Sequence, residues 1–390
     1  MEKRRIAIIG TGGISHFHAA AFCAEKERCE IVALCDLFTE KCVALAQEYH
    51  LNSDTLTITD DYTTLLDRSD IDSVSICLPP SLHSEVTVAF LNHGKNVLCE
   101  KPMAASLAEA DCMIDAEKKS GKLLGIISQN RFRDGAWKVK QMLSSGVLGK
   151  VLMTRVNSMW YRGMNYYNLW WRGTWEKEGG GCTLNHAVHQ IDMLNWFIGM
   201  PKSLISVNMN VAHTNSEVED CGMSILQYPH ALAELNVSLN DMDEKQGFFF
   251  QCEHAEITVP WSVHCKKQLP NGFYEPDPES EKKFQKMYDH LEGVKGTEGH
   301  DALIKNYLDA LEGKERLVVT SEDGRHALEL IYSIYKSATT HHMVTLPMEE
   351  SDDFYHKETL LKKVPHFYEK SVSIENAEGS ISVGNMEKEK

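Results

Sequence analysis

The chain has 390 residues, 43% of them hydrophobic and 25% charged, and its 40 basic and 56 acidic side chains give a formal net charge of −16. This is the composition of a globular protein with two or three cores, which excludes a disordered or fibrous chain. No basic stripe is present to hold phosphates, so nucleic acid is not an expected partner. No window approaches the ~18 consecutive apolar residues of a transmembrane helix, so no membrane partner is expected either.

Eleven cysteines are scattered through the chain without Cys-x-x-Cys spacing, the usage of a reducing compartment. The apolar run Ile6–Ile9 is shorter than the ~7–15 residues of a signal-peptide core and stops at Gly10. A cytoplasmic protein that begins with its first strand is expected.

In chain order, short β-branched runs at Arg5–Ile9, Glu30–Cys35, Ser73–Cys77, Asn96–Cys99 and Leu123–Ile127 alternate with helical patterns at Glu40–Tyr49, Ser81–Asn92 and Leu107–Ser120. Such alternation predicts an α/β N-terminal domain over residues 1–127, a Rossmann-type doubly wound parallel sheet. After a helix at Ala136–Ser144, strand-like runs follow closely: Val151–Met159, Leu204–Val211, Cys221–Leu226, Ala231–Leu239, Phe248–Cys252 and Glu256–Val259. Consecutive strands without crossover helices predict an α+β C-terminal domain over residues 128–347, with a large, mostly antiparallel open sheet. A long helix is expected over Gly181–Ile198, and two more over Thr297–Leu311 and Ser321–Thr340, the last with Ser321 opening its capped first turn. Residues 272–292 read as an insertion that reaches a neighbouring subunit or rims the site. Residues 348–390 read as a charged extension that wanders or lies on a neighbouring surface.

Gly10-Thr11-Gly12-Gly13-Ile14-Ser15 lies between the first strand and the first helix, the context in which a G-x-G-x-x-G pattern carries meaning. Gly10 permits a tight turn, Gly12 opens the helix N-terminus to a diphosphate, and Ser15 is small enough to let helix and sheet approach. Asp36, at the end of the second strand, can accept both ribose hydroxyls and would repel a 2′-phosphate; NAD is expected in preference to NADP. At the end of the fourth strand stands Glu100-Lys101-Pro102. Pro102 keeps Lys101 out of a helix, and an ammonium there can stabilise an alkoxide as hydride leaves.

Together, these motifs and the Cys77-Leu78-Pro79-Pro80-Ser81-Leu82-His83 segment resemble the Gfo/Idh/MocA oxidoreductases, the glucose–fructose oxidoreductase and inositol dehydrogenase superfamily. Trp171-Arg172-Gly173-Thr174-Trp175, the run from Gly179 through Asn185 and His189 to Asp192, and Asp323-Gly324-Arg325-His326 extend the likeness over residues 4–347. The resemblance implies an NAD-dependent dehydrogenase acting on CH–OH groups, with Leu78, Pro79, His83, Glu100, Lys101 and Gln129 joining residues 10–15 and Asp36 at the cofactor. It also implies that Asn185 and His189, four residues apart on one helix face, point at the nicotinamide. Many relatives carry Asp where this chain has Asn185. His189 is then the expected general base, Lys101 the oxyanion stabiliser and Asn185 a positioner. His186, His189 and Asp192 recur at three-residue spacing, but ligands on successive turns diverge, so no metal is expected.

Residues 159–175 concentrate four of the seven tryptophans with three tyrosines and two arginines. Aromatic faces stack on pyranose rings and Arg pairs with hydroxyls, so Tyr166, Trp171 and Arg172 are expected to line a carbohydrate site with Lys101, Asn185 and His189. The implied reaction is oxidation of a secondary hydroxyl of a sugar, cyclitol or glycoside, C3 of a glucosyl ring being one possibility. Two alternatives stand beside it: an NAD-dependent glycosidase acting by transient oxidation and elimination, and a non-catalytic NAD-binding sensor. The acidic net charge favours a neutral sugar, with Arg162 and Arg172 able to admit an anion. A homo-oligomer, dimer or tetramer, paired through the open sheet is also implied.

Overall fold

The computed structural model describes residues 3–375. Its first sheet is built from β1 (Arg4–Ile9), β2 (Cys29–Cys35), β3 (Thr57–Thr59), β4 (Ser73–Ile76), β5 (Asn96–Cys99) and β6 (Leu124–Ile126), all parallel, in the order β3-β2-β1-β4-β5-β6. Helices α1 (Ser15–Ala24), α2 (Thr39–Glu48), α3 (Pro80–Asn92) and α4 (Leu107–Ser120) connect the strands. The central strands are continuous apolar runs such as Ile6–Ile9, because helices cover both faces and every side chain is buried. Strand order reverses between β1 and β4, which opens a crevice at their carboxyl ends. The edge strand β3 had no counterpart in the five strands expected.

Helix α5 (Asp134–Ser144) leads to β7 (Val151–Met159), the centre of the second sheet. The expected helix over Gly181–Ile198 is divided. Short α6 (Trp175–Glu178) and α7 (Cys182–Asn185) precede α8 (Val188–Ile198), with His186 and Ala187 between the last two. The Glu219 carboxylate accepts the Gly181 and Thr183 N–H groups, fixing the start of α7, and Ala187 N–H reaches back five residues to the Cys182 carbonyl. That widened turn steps the axis before α8 begins.

Next come β8 (Ser203–Met209), β9 (Cys221–Gln227), β10 (Leu232–Ser238), β11 (Gln246–Cys252), β12 (Glu256–Val259) and β13 (Val263–His264). The hairpin β14 (Lys266–Gln268) and β15 (Tyr274–Pro276) runs into α9 (Pro278–Asp289), then α10 (His300–Leu311), α11 (Ser321–Thr340), β16 (Val344–Thr345) and α12 (Lys357–Leu360). Among the described residues the second sheet has eight strands in the order β13-β12-β11-β7-β10-β9-β8-β16, antiparallel except for the β7–β10 pair. Helices α8 and α11 pack on one face. On the other, Ile205, Val207, Met209, Met223 and Ile225 are exposed.

The residue capping α11 is Thr320, one position before the expected Ser321. Its side chain accepts the Asp323 N–H while Asp323 accepts the Thr320 N–H, a reciprocal cap. Within α11, a Cβ on Gly324 would sit 3.0 Å from Ile126 and 3.1 Å from Met103, so the glycine lets this helix lie close against the first sheet. The 272–292 insertion packs on its own chain: Trp261 stacks on Tyr288 at 3.9 Å, and Phe284 is buried. The tail does likewise. Phe354, Tyr355, Leu360 and Val364 are buried, and Leu169 bridges to Ile374. Residues 376–390 of the extension lie outside the described residues.

Candidate active site

The glycine turn sits at the mouth of the first-sheet crevice. Gly10 has φ +90°, and a Cβ there would stand 2.5 Å from the Cys77 carbonyl oxygen, so β1 and β4 can approach only with glycine. Cβ atoms on Gly12 or Gly13 would meet nothing within 4 Å. That open space in front of the α1 N-terminus fits a pyrophosphate, which needs free N–H groups and no side chain. Thr11 faces inward: its N–H donates to Asp36 Oδ2 at 2.8 Å, while Asp36 Oδ1 accepts the Phe38 N–H at 3.0 Å. Asp36 is thus oriented at the end of β2, with lone pairs left for ribose hydroxyls. Ile14 is half-buried at the helix entry, and Ser15 is buried with its hydroxyl on the Gly12 carbonyl at 2.6 Å.

Across the crevice, Leu78 is half-buried and Pro79 exposed at the start of α3, while Gln129 is half-buried in a short 3₁₀ turn after β6. Two residues expected to touch the cofactor are buried and hydrogen-bonded within the protein. His83 is fully buried, its ring nitrogens on the Leu78 and Pro102 carbonyls at 2.7 and 2.8 Å, which ties the two walls together. Glu100 is 4% exposed and engaged by buried His18 at 2.9 Å and by the Lys101 N–H at 3.0 Å. His18 in turn meets Ser75 at 2.7 Å. Burial opposes the charge of both His18 and Glu100; on the His18 side Cys77 and then Glu100 outweigh it and raise the pKa, and on the Glu100 side His18 and then Lys101 depress it.

Lys101 and His189 line one cavity with Pro102, Ile126, Ser128, Val188, Asp192 and α11 residues including Gly324. It lies where the carboxyl ends of β5 and β6 face α8. Burial lowers the pKa of Lys101, with Glu100 opposing and Arg172 reinforcing the shift. Burial and then Lys101 hold His189 well below the ordinary imidazole range, so its ring is neutral at pH 7. Asn185 is held by its own turn, its amide donating to the Gly180 and Gly181 carbonyls at 3.1 and 3.4 Å. The chain is divided between α7 and α8, so Asn185 ends one helix and His189 stands in the first turn of the next instead of both lying on one continuous helix. Asp192 is taken by Arg131, which forms a fork of 2.8 and 2.7 Å with it and reaches Asp323 at 3.1 Å. This commitment removes Asp192 from any ligand set with His186 and His189.

The aromatic segment comes near enough for the Arg172 charge to act on Lys101. The Arg172 guanidinium lies 4.1 Å from the Trp171 ring centroid and 4.2 Å from that of Tyr166, whose hydroxyl is 3.3 Å from His186 Nε2. Glu178 accepts from Arg172 at 3.1 Å, and its burial pushes the carboxyl up to about 7 against the pull of Arg172. Arg162 is likewise paired, with Glu244 at 3.0 Å. Trp160 and Trp175 are buried supports: Trp175 Nε1 donates to the Pro365 carbonyl at 2.9 Å. The structural roles of His18, Arg131 and Asp192 are not legible locally because their partners lie 57 or more residues away in sequence.

A dinucleotide crevice with an acidic ribose acceptor, opening onto a lysine and a neutral histidine under a second domain, defines an NAD-dependent oxidoreductase. Residues 4–128 match the oxidoreductase family with an NAD-binding Rossmann fold, GFO/IDH/MocA, and residues 136–258 match the GFO/IDH/MocA C-terminal domain. The chain belongs to this family. It is 24% identical over 343 residues to D-glucoside 3-dehydrogenase of Escherichia coli (strain K12), spanning 86% of this chain and 95% of the relative. It is 31% identical to 2,7-anhydro-N-acetylneuraminate hydratase of Mediterraneibacter gnavus over 224 residues, 56% of each chain. The crystal structure of the WlbA dehydrogenase of Chromobacterium violaceum in complex with NADH and UDP-GlcNAcA superposes with a TM-score of 0.77 at 26% identity, covering 90% of this chain and 97% of that one.

Proposed function

We propose that this protein oxidises a secondary hydroxyl of a sugar, cyclitol or glycoside, with C3 of a glucosyl ring as one candidate position. The observation that carries the reading is the convergence of Lys101 and His189 on one cavity at the carboxyl end of the parallel sheet. His189, held neutral by burial, takes the hydroxyl proton. The Lys101 ammonium stabilises the developing oxyanion, in a site where partial desolvation strengthens its charge. NAD supplies the hydride acceptor. Asn185 shapes the α7 turn beside them.

Tyr166, Trp171 and Arg172 form the sugar-facing wall in this reading. Because Arg162 and Arg172 are each neutralised by a glutamate, the wall suits a neutral ring better than an acidic one. The likeness to a glucoside 3-dehydrogenase over nearly its whole length supports the same class. Dimers or tetramers paired through the open face of the second sheet belong to this proposal.

The test is a spectrophotometric screen of sugars, inositols and glycosides at about 340 nm, the NADH absorbance used to follow such hydride transfers, with NAD and NADP in parallel. NADH formation with at least one member is expected. Lys101→Ala should then lower turnover about 10²–10⁴-fold while leaving NAD affinity nearly unchanged; undiminished turnover would overturn the assignment of Lys101. Likeness to a hydratase favours a second reading, transient oxidation followed by elimination, which would release product without accumulating NADH.

A further inference from the structure

The C-terminal extension makes a contact that the dehydrogenase reading leaves unused. Residues 370–374 run alongside the aromatic segment. Ile374 N–H donates to the Asn168 carbonyl at 2.8 Å, Trp170 N–H donates to the Ile374 carbonyl at 2.9 Å, and Lys370 Nζ donates to the Tyr167 carbonyl. Asn215 joins the two pieces of chain. Its Nδ2 donates to the Tyr167 carbonyl at 3.2 Å, to Asn168 Oδ1 at 3.0 Å and to the Val372 carbonyl at 2.9 Å. Its Oδ1 accepts the Ser371 and Val372 N–H groups at 2.8 and 2.9 Å.

These bonds continue into the site through side chains. Tyr167 is buried, edge-on to Tyr166 at 5.1 Å and to His213 at 5.1 Å. His213 is fixed by Asp220 at 2.8 Å and by the Arg162 carbonyl at 2.9 Å, which secures the inner side of the segment. Its outer side at Asn168–Trp170 is bonded to the tail. Tyr166 then carries the arrangement to Arg172 and His186.

We infer that Asn215 and residues 370–374 are specificity-determining: they strap the aromatic segment from outside and fix the wall formed by Tyr166, Trp171 and Arg172 against which the sugar ring packs. The inference rests on the reading of that wall as the sugar-facing one. A preorganised wall spares the ordering cost that a loose loop imposes on each binding event, so the strap acts on sugar affinity and leaves the distant dinucleotide crevice alone. Residues 370–374 lie beyond both family matches, the second of which ends at 258 and includes Asn215.

The experiment uses two shortened full-length proteins and two substitutions. A chain ending at Tyr368 keeps the Trp175–Pro365 bond and the Phe367 N–H bond to the Glu217 carbonyl but loses the strap; a chain ending at Glu375 keeps all of it. Asn215→Ala removes the staple, and Asn215→Asp keeps the acceptor for the tail while losing the donor bonds to residues 167, 168 and 372. Hydrogen exchange of the 160–175 peptide reads the strap without substrate, and KM, kcat and NAD Kd read its effect on the sugar found by the screen. Ending at Tyr368, or Asn215→Ala, should speed exchange at Trp170 about tenfold or more and raise sugar KM about tenfold, with kcat and NAD Kd little changed. Asn215→Asp should fall between these and the full chain, and the chain ending at Glu375 should match the full chain.

Unchanged exchange in the chain ending at Tyr368 would overturn the strap whatever the substrate. Faster exchange with unchanged sugar KM would overturn its role in specificity. A full-length protein inactive on every sugar would defeat the functional reading instead, and would do so while the exchange data stand.

Discussion

Gly10 and Gly12 belong to the same turn, yet they answer to different demands. A Cβ on Gly10 would collide with the Cys77 carbonyl at 2.5 Å on a left-handed backbone, whereas one on Gly12 would enter open space. Gly10→Ala should therefore destabilise the fold by about 2 kcal/mol or more. Gly12→Ala should leave the urea midpoint within about 0.5 kcal/mol of the parent while weakening NAD binding about tenfold or more. Chemical denaturation and cofactor titration together check the pair. The turn was legible in sequence because its glycine spacing and its place between the first strand and the first helix are local features. The His18–Glu100 pair was not, because nothing at position 18 announces a contact 82 residues on. Breaking it with His18→Gln would leave a buried carboxylate uncompensated, at a cost of about 3–5 kcal/mol. The pH dependence has a definite sign. His18, raised in the folded state, contributes fully below pH 6.5 and loses that contribution as pH rises through about 10. Glu100, depressed, contributes fully above pH 4.5 and loses it as acid passes through about 2. The stability gap between parent and His18→Gln should be widest near pH 5–6 and narrow in strong base, as urea melts across pH would show.

At the level of elements, periodicity located most of the long helices and strands, left α9 inside an expected insertion, and failed where a tertiary partner overrode the local pattern. Residues 181–198 carry a continuous helical pattern, but buried Glu219 seizes the Gly181 and Thr183 N–H groups and the chain steps at His186. Asn185 and His189 consequently fall on two helices, α7 and α8. The edge strands β3, β13 and β16 are two or three residues long, too short for a period of two to register. One residue of offset at α11 matters energetically: the reciprocal cap belongs to Thr320 and Asp323. Thr320→Ala should cost about 1 kcal/mol, while Ser321→Ala acts only through its bond to Glu117. Thermal melts of the two variants would separate these effects.

On the scale of the whole molecule, the open face of the second sheet is the feature that asks for a partner. Ile205 lies opposite Ile225 and Val207 opposite Met223, and these side chains are 39–68% exposed. An apolar patch of this kind, continuous across neighbouring strands, marks an association surface. Replacing Val207 and Met223 by Lys should shift the protein to a smaller species in analytical ultracentrifugation, with NAD binding retained; an unaltered sedimentation coefficient would count against pairing through this face. Sequence supplied the alternation that makes the face visible. It did not show that the tail folds back on its own chain, since burial of Phe354, Tyr355 and Val364 depends on surfaces set by residues far upstream.

Helices α10 and α11 come late in the chain and yet complete the first domain. Tyr307 meets Ser73 at 2.6 Å, Arg28 pairs with Asp309 and Glu312, Thr320 bridges to Gly125, and Gly324 admits Met103 and Ile126. Domains commonly fold one after another as they leave the ribosome. Here the first domain, although encoded first, lacks two of its packing helices until some two hundred further residues have been made, and the α11 side of the lysine–histidine cavity arrives with them.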